Sequence, residues 1–91
     1  MTIIIPTPLR QYAEGRDSLK VNAATIGEAL GTLAETHPEL RKHLYTNEGK
    51  LRAFVNVYLN DEDVRYLPEK EGTAVSDSDT LSIIPSIAGG A

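Results

Sequence analysis

The sequence predicts an α+β domain: a mixed sheet of four to five strands with one main helix packed on one face. Three observations carry this. Short β-branched or alternating runs recur along the chain, as at Ile3-Ile4-Ile5 and Phe54-Val55-Asn56-Val57-Tyr58-Leu59. A single stretch, Ile26 to Ala34, has helical spacing instead. The elements fall in the order β-β-α-β-β-β, so the helix crosses from one strand pair to the next.

Each element has its own justification. Ile3 to Ile5 form a first strand, halted by Pro6-Thr7-Pro8, and Ser18 to Asn22 alternate around Leu19 and Val21 as a second. Glu14-Gly15-Arg16-Asp17 supplies a turn between them, predicting an N-terminal hairpin. Thr25-Ile26-Gly27-Glu28 fits a capping box, with Ile26, Ala29, Leu30, Leu33 and Ala34 on one helical face. Pro38 ends that helix, and Pro38 to Leu44 adds a helical turn. Gly27 and Gly31, poor helix formers, suggest close approach of helix to sheet. Thr46-Asn47-Glu48-Gly49 is a loop, and Phe54 to Leu59 is the clearest strand. Asn60-Asp61-Glu62-Asp63 follows as a polar turn, then Val64 to Leu67 as a short edge strand. Ser76-Asp77-Ser78-Asp79 turns the chain into the last strand, Thr80 to Ile84.

This order, with one helix over a mixed sheet, is the β-grasp or ubiquitin-like arrangement. A helix on one face leaves the other open. Alternation sends Val55, Val57, Leu59, Leu81 and Ile83 toward the helix and Phe54, Asn56 and Tyr58 to the open side, with Ile84 near the strand's exit. Phe54, Asn56, Tyr58 and Ile84 therefore form a candidate docking face. Alternation alone leaves the two sides interchangeable, and aromatics packed under loops are the alternative.

Composition bounds the function. A chain of 91 residues, 41% hydrophobic, suits one domain with a modest core. Residues 1–85 read as that domain and 86–91 as a flexible tail ending Gly-Gly-Ala. With no Cys there is no disulfide, thiolate nucleophile or Cys-based metal site. Its nine Lys and Arg are scattered and its net charge is −4, which argues against nucleic acid. Neither a signal peptide nor a membrane span is visible, so a soluble cytoplasmic chain, monomeric when alone, is expected. No Ser/His/Asp set, phosphate-cradling loop or paired carboxylates suggest a catalyst. His37 and His43, six apart, have no obvious carboxylate or thiol partner and read as exposed helix-end residues, not metal ligands. Asp61 to Asp63 read as a turn, with contact to a basic partner surface as the alternative, and Arg52 and Arg65 as solvated cations that could instead pair with acidic partners.

The tail carries the chemistry. Gly89 and Gly90 have no side chains and accept almost any backbone angle, so a partner enzyme could thread them through a narrow channel. Extended, Ser86 to Gly90 reach about 17 Å at ~3.3 Å per residue. Ordering them costs about 1–2 kcal/mol per residue in backbone entropy, so the domain body must also dock.

The ending Ile83-Ile84-Pro85-Ser86-Ile87-Ala88-Gly89-Gly90 resembles that of bacterial sulfur carrier proteins of the ThiS/MoaD type. Phe54 to Arg65 and Pro6-Thr7-Pro8-Leu9-Arg10 are similar to the CysO-like branch, and the resemblance spans essentially the whole domain. It implies a carrier with no cofactor of its own. An E1-like adenylyltransferase/sulfurtransferase would use ATP to activate Gly90, and sulfide or a persulfide would leave a thiocarboxylate there. The tail, Ser86, Ile87, Ala88, Gly89 and Gly90, would enter the partners' active sites. A PLP-dependent sulfhydrylase or similar acceptor would take the sulfur toward cysteine or homocysteine and methionine. Ala91 departs from the family ending, implying a precursor cut between Gly90 and Ala91 by a JAMM-type zinc peptidase. The alternative is an alanine left by cloning or tolerated as it stands. Two rival functions are a ubiquitin-like modifier joined to lysines through Gly90 and the small subunit of a molybdopterin synthase.

Overall fold

A computed structural model describes residues 1–53 and 55–85 of the chain. Five strands, β1 (Thr2–Ile4), β2 (Ser18–Lys20), β3 (Val55–Leu59), β4 (Glu62–Asp63) and β5 (Thr80–Pro85), make one sheet ordered β2-β1-β5-β3-β4. Only β1 and β5 run parallel; the other neighbours are antiparallel. The sheet is mixed because the chain's last strand enters between its first and third. Helices α1 (Ile26–Thr36) and α2 (Pro38–Leu44) form the second layer. This is the β-grasp arrangement.

Local chemistry explains α1. The Thr25 hydroxyl accepts from the Glu28 backbone N–H at 3.2 Å. The Glu28 carboxylate accepts in return from Ala24 N–H at 3.3 Å, one residue further back than in the usual capping box. Ile26, Ala29, Leu30, Leu33 and Ala34 are all buried, as their helical spacing requires. Ile26, Ala29, Leu30 and Leu33 share one core with Ile3, Val55, Val57, Leu81 and Ile83 from the inner sheet face, and Leu40 and Leu44 of α2 close it. Each fully buried Leu or Ile contributes about 1.5–3 kcal/mol relative to exposure.

The structure extends some expectations and corrects others. Thr7–Ala13, which no sequence pattern assigns, is 3₁₀ helix with a proline in its first turn, and it seats Leu9 and Ala13 in the core. Helix α2, Pro38–Leu44, has the bounds the sequence predicts. Val64–Tyr66 is a 3₁₀ turn rather than a strand, because Asp63 caps it, accepting from Arg65 N–H at 2.9 Å. The edge strand is the preceding Glu62–Asp63, so the acidic run is partly strand. Gly27 does approach backbone closely, but that of Glu71 rather than the sheet, and around Gly31 there is open space. His37 is buried where α1 turns into α2, its Nε2 without a hydrogen-bond partner among the described residues, and His43 stacks on Tyr12 with ring centroids 4.0 Å apart. Neither is a simple exposed helix-end residue.

Polar turns pin the sheet's ends. Asn60, at φ 57, takes the left-handed conformation that Asn tolerates. Its side chain accepts from Thr80 N–H at 3.1 Å and donates to Asp79 at 3.3 Å, tying the β3–β4 turn to the start of β5. Asp79 also accepts from Ser76 N–H at 2.8 Å. These bonds hold its carboxyl below the usual range, with the Ser76 N–H as the largest cause.

Candidate partner-docking face

The pairing register decides which residues share the outer sheet face. Asn56 lies opposite Ile84, Tyr58 opposite Ser82, and Ser82 opposite Ile4 across β1. Since Val55, Val57, Leu81 and Ile83 are buried on the helix side, Asn56, Tyr58, Ser82 and Ile84 lie on the other. Of the predicted docking residues, Asn56, Tyr58 and Ile84 thus come together; Phe54 lies outside the described residues. Ile84 is 49% exposed and Ile4 37%. Two β-branched side chains open to water on adjacent strands make an apolar strip beside Tyr58.

This face adjoins the attachment of the tail. Pro85 ends β5 opposite Val55, so the next residue, Ser86, is joined at this corner. The remaining predicted site residues, Ser86, Ile87, Ala88, Gly89, Gly90 and Ala91, lie outside the described residues.

Two residues outside the predicted docking set stand out in the turn after β4. Tyr66 is 84% exposed, set outward by the 3₁₀ turn after β4. Arg65 was read as a solvated cation, yet its side chain is fastened. Nη2 donates to Asn56 Oδ1 at 2.6 Å and to Asp63 Oδ2 at 3.0 Å, and Nε donates to Asp63 Oδ1 at 3.3 Å. The Arg65 side chain, then its backbone N–H, holds the Asp63 carboxyl below the usual carboxylate range. No periodicity flags this, because it depends on a turn folding back along β3.

The helix layer has a different character. A cavity of about 410 Å³ lies among Gly31, Ala34, Glu35, Pro38, Arg41, Tyr45 and Gly49. The Tyr45 phenol there is pushed up to about 12, chiefly by burial, with Glu71 adding and Arg41 opposing. Among the described residues no His, Cys, Asp and Glu cluster could hold a metal ion, and no helix is long and apolar enough to cross a membrane.

Comparison with known proteins agrees with this architecture. Residues 3–90 match the model of the ThiS family. The chain belongs to that family. It is 37% identical to the sulfur carrier protein CysO of Mycobacterium tuberculosis, over 99% of this chain and 98% of that one. The crystal structure of the Amycolatopsis orientalis BexX/CysO complex contains a chain 40% identical, with TM-score 0.84 and 98% of each chain covered. Small archaeal modifier protein 1 of Haloferax volcanii is 29% identical in its crystal structure, with TM-score 0.83, covering 99% of this chain and 98% of that one. This ThiS-family chain is thus a small ubiquitin-like carrier or modifier rather than an enzyme.

Proposed function

We propose that the chain carries sulfur on Gly90 as a thiocarboxylate, and that its open sheet face docks the enzymes that load and unload it. The observation carrying this is the family match through Gly90, on a fold whose last strand ends beside an exposed apolar strip.

The chemistry is a sequence of acyl transfers. In the sequence the Gly90 carbonyl is an amide to Ala91, so hydrolysis of that bond, by a JAMM-type zinc peptidase, must come first. The freed carboxylate attacks the α-phosphorus of ATP on an E1-like enzyme, releasing pyrophosphate and forming an acyl adenylate. Sulfide, or a persulfide with a later reduction by thiol, displaces AMP and leaves the thiocarboxylate. The sulfur then passes to an acceptor enzyme such as a PLP-dependent sulfhydrylase, toward cysteine or homocysteine. This chain supplies the nucleophile and the docking surface that concentrates it; the partner supplies the electron sink.

The test is intact-mass measurement on carrier ending at Gly90, given ATP, the adenylating enzyme and sulfide. The expected result is the mass change of one oxygen-for-sulfur exchange, absent when Ala91 is retained. A sample ending at Gly90 that never gains sulfur overturns the reading. Likeness to the archaeal modifier supports a second reading, conjugation of Gly90 to lysines. Isopeptide-linked adducts in cell extracts, without free thiocarboxylate, would favour it.

A further inference from the structure

On a chain of net charge −4, the strand positions of the open sheet face carry few charges. Its strand positions alternate out as Thr2 and Ile4, Ser18 and Lys20, Asn56 and Tyr58, and Thr80, Ser82 and Ile84, with Asp63 opposite Tyr58. Asp63 is the one carboxylate among these strand positions, and its side chain is 8% exposed beneath the Arg65 guanidinium, itself 58% exposed. The exposed full charges at and beside these strand positions include Lys20 and Arg65, with Asp77 bordering Lys20 and Thr2 at the sheet's end.

Arg65 is also set in place before any partner arrives. Its Nε and Nη2 are committed to Asp63 and Asn56, and among the described residues nothing accepts from Nη1. The guanidinium therefore offers one remaining N–H edge in a fixed plane. Asn56 holds it opposite Ile84, and the guanidinium lies within electrostatic reach of Tyr58 and Tyr66. An arginine already immobilised loses little side-chain entropy on binding. An apolar surround removes water from the ion pair it forms, the setting in which interface arginines dominate binding.

We propose that Arg65 is the anchor of this face, and that it fits a protein surface presenting a carboxylate within an apolar patch that receives Ile84 and Tyr58. The inference rests on the docking reading above and adds the chemistry of the partner: the adenylating enzyme carries an acidic residue where this face lands. Asp63 and Asn56 are positioning residues, which aim the guanidinium without touching the partner.

The experiment is steady-state adenylation by the E1-like enzyme of the same organism, using whole carrier ending at Gly90, read as pyrophosphate release. Arg65→Ala should raise KM for the carrier about tenfold or more with kcat unchanged. Arg65→Glu should raise it further, by a factor that shrinks as salt increases. Arg65→Lys keeps the charge but loses the planar fork, and should recover only part of the loss. Thermal melting of each variant shows that it is folded. Ile84→Ser is the control for docking itself. If Ile84→Ser raises KM and the folded Arg65 variants do not, the anchor is overturned and the docking face stands. If neither changes KM, both readings fall. Full recovery by Arg65→Lys would overturn the fixed fork in favour of plain charge.

Discussion

Gly27 and Gly31 stand one turn apart on α1 and meet different surroundings. A Cβ at Gly31 would touch nothing within 4 Å, whereas one at Gly27 would lie 3.3 Å from the Glu71 carbonyl oxygen. Gly31→Ala should stabilise the protein by about 0.5–1 kcal/mol, the helix preference for Ala. Gly27→Ala should gain nothing or lose stability, since backbone must move to admit the methyl. Urea unfolding midpoints of the two variants test this. Asp63 and Asp79 govern the acid side. Both carboxyls lie below their ordinary value of 3.8 in the folded protein, through bonds from Arg65 and from Ser76 and Asn60. A depressed folded value means that the stabilisation is complete above the unfolded pKa and disappears as pH drops through the folded one. Stability should therefore decline as pH falls below about 4. Asp79→Asn should flatten that decline, as denaturation midpoints across an acid pH series would show.

At the scale of elements, α1 depends on its start. Thr25→Ala removes the hydroxyl that accepts the Glu28 N–H and should cost about 1 kcal/mol, measurable by thermal or chemical denaturation. This helix was legible in the sequence because two independent signals agreed, the cap and the apolar spacing. Strands β3 and β5 were legible for a similar reason: one face of each is buried, which forces alternation. The same alternation placed Asn56, Tyr58 and Ile84 together. Elsewhere local pattern misled. Pro6-Thr7-Pro8 reads as a stop, but the chain tightens into 3₁₀ helix to bury Leu9 and Ala13. Val64 to Leu67 has strand-like composition, yet the cap from Asp63 bends it into a turn. The fastening of Arg65 to Asn56 depends on that bend and not on any period, so the sequence does not show it. Burial of His37 was equally invisible, being set by the junction of two helices.

Across the whole molecule, the two layers divide labour. The helix layer, with its cavity around Tyr45, lies opposite the sheet face that carries Ile84 and Arg65. Strand β5 ends at Pro85, opposite Val55, at the edge of that face. The placement of β5 between β1 and β3 has a mechanical side as well. Its backbone bonds to antiparallel β3 run across the strand direction, and those to parallel β1 are slanted. A pull applied beyond Pro85 therefore loads both seams in shear, and many bonds must yield together instead of peeling singly. Force along the axis of β5 from beyond Pro85 is thus borne by the whole sheet, which resists unravelling.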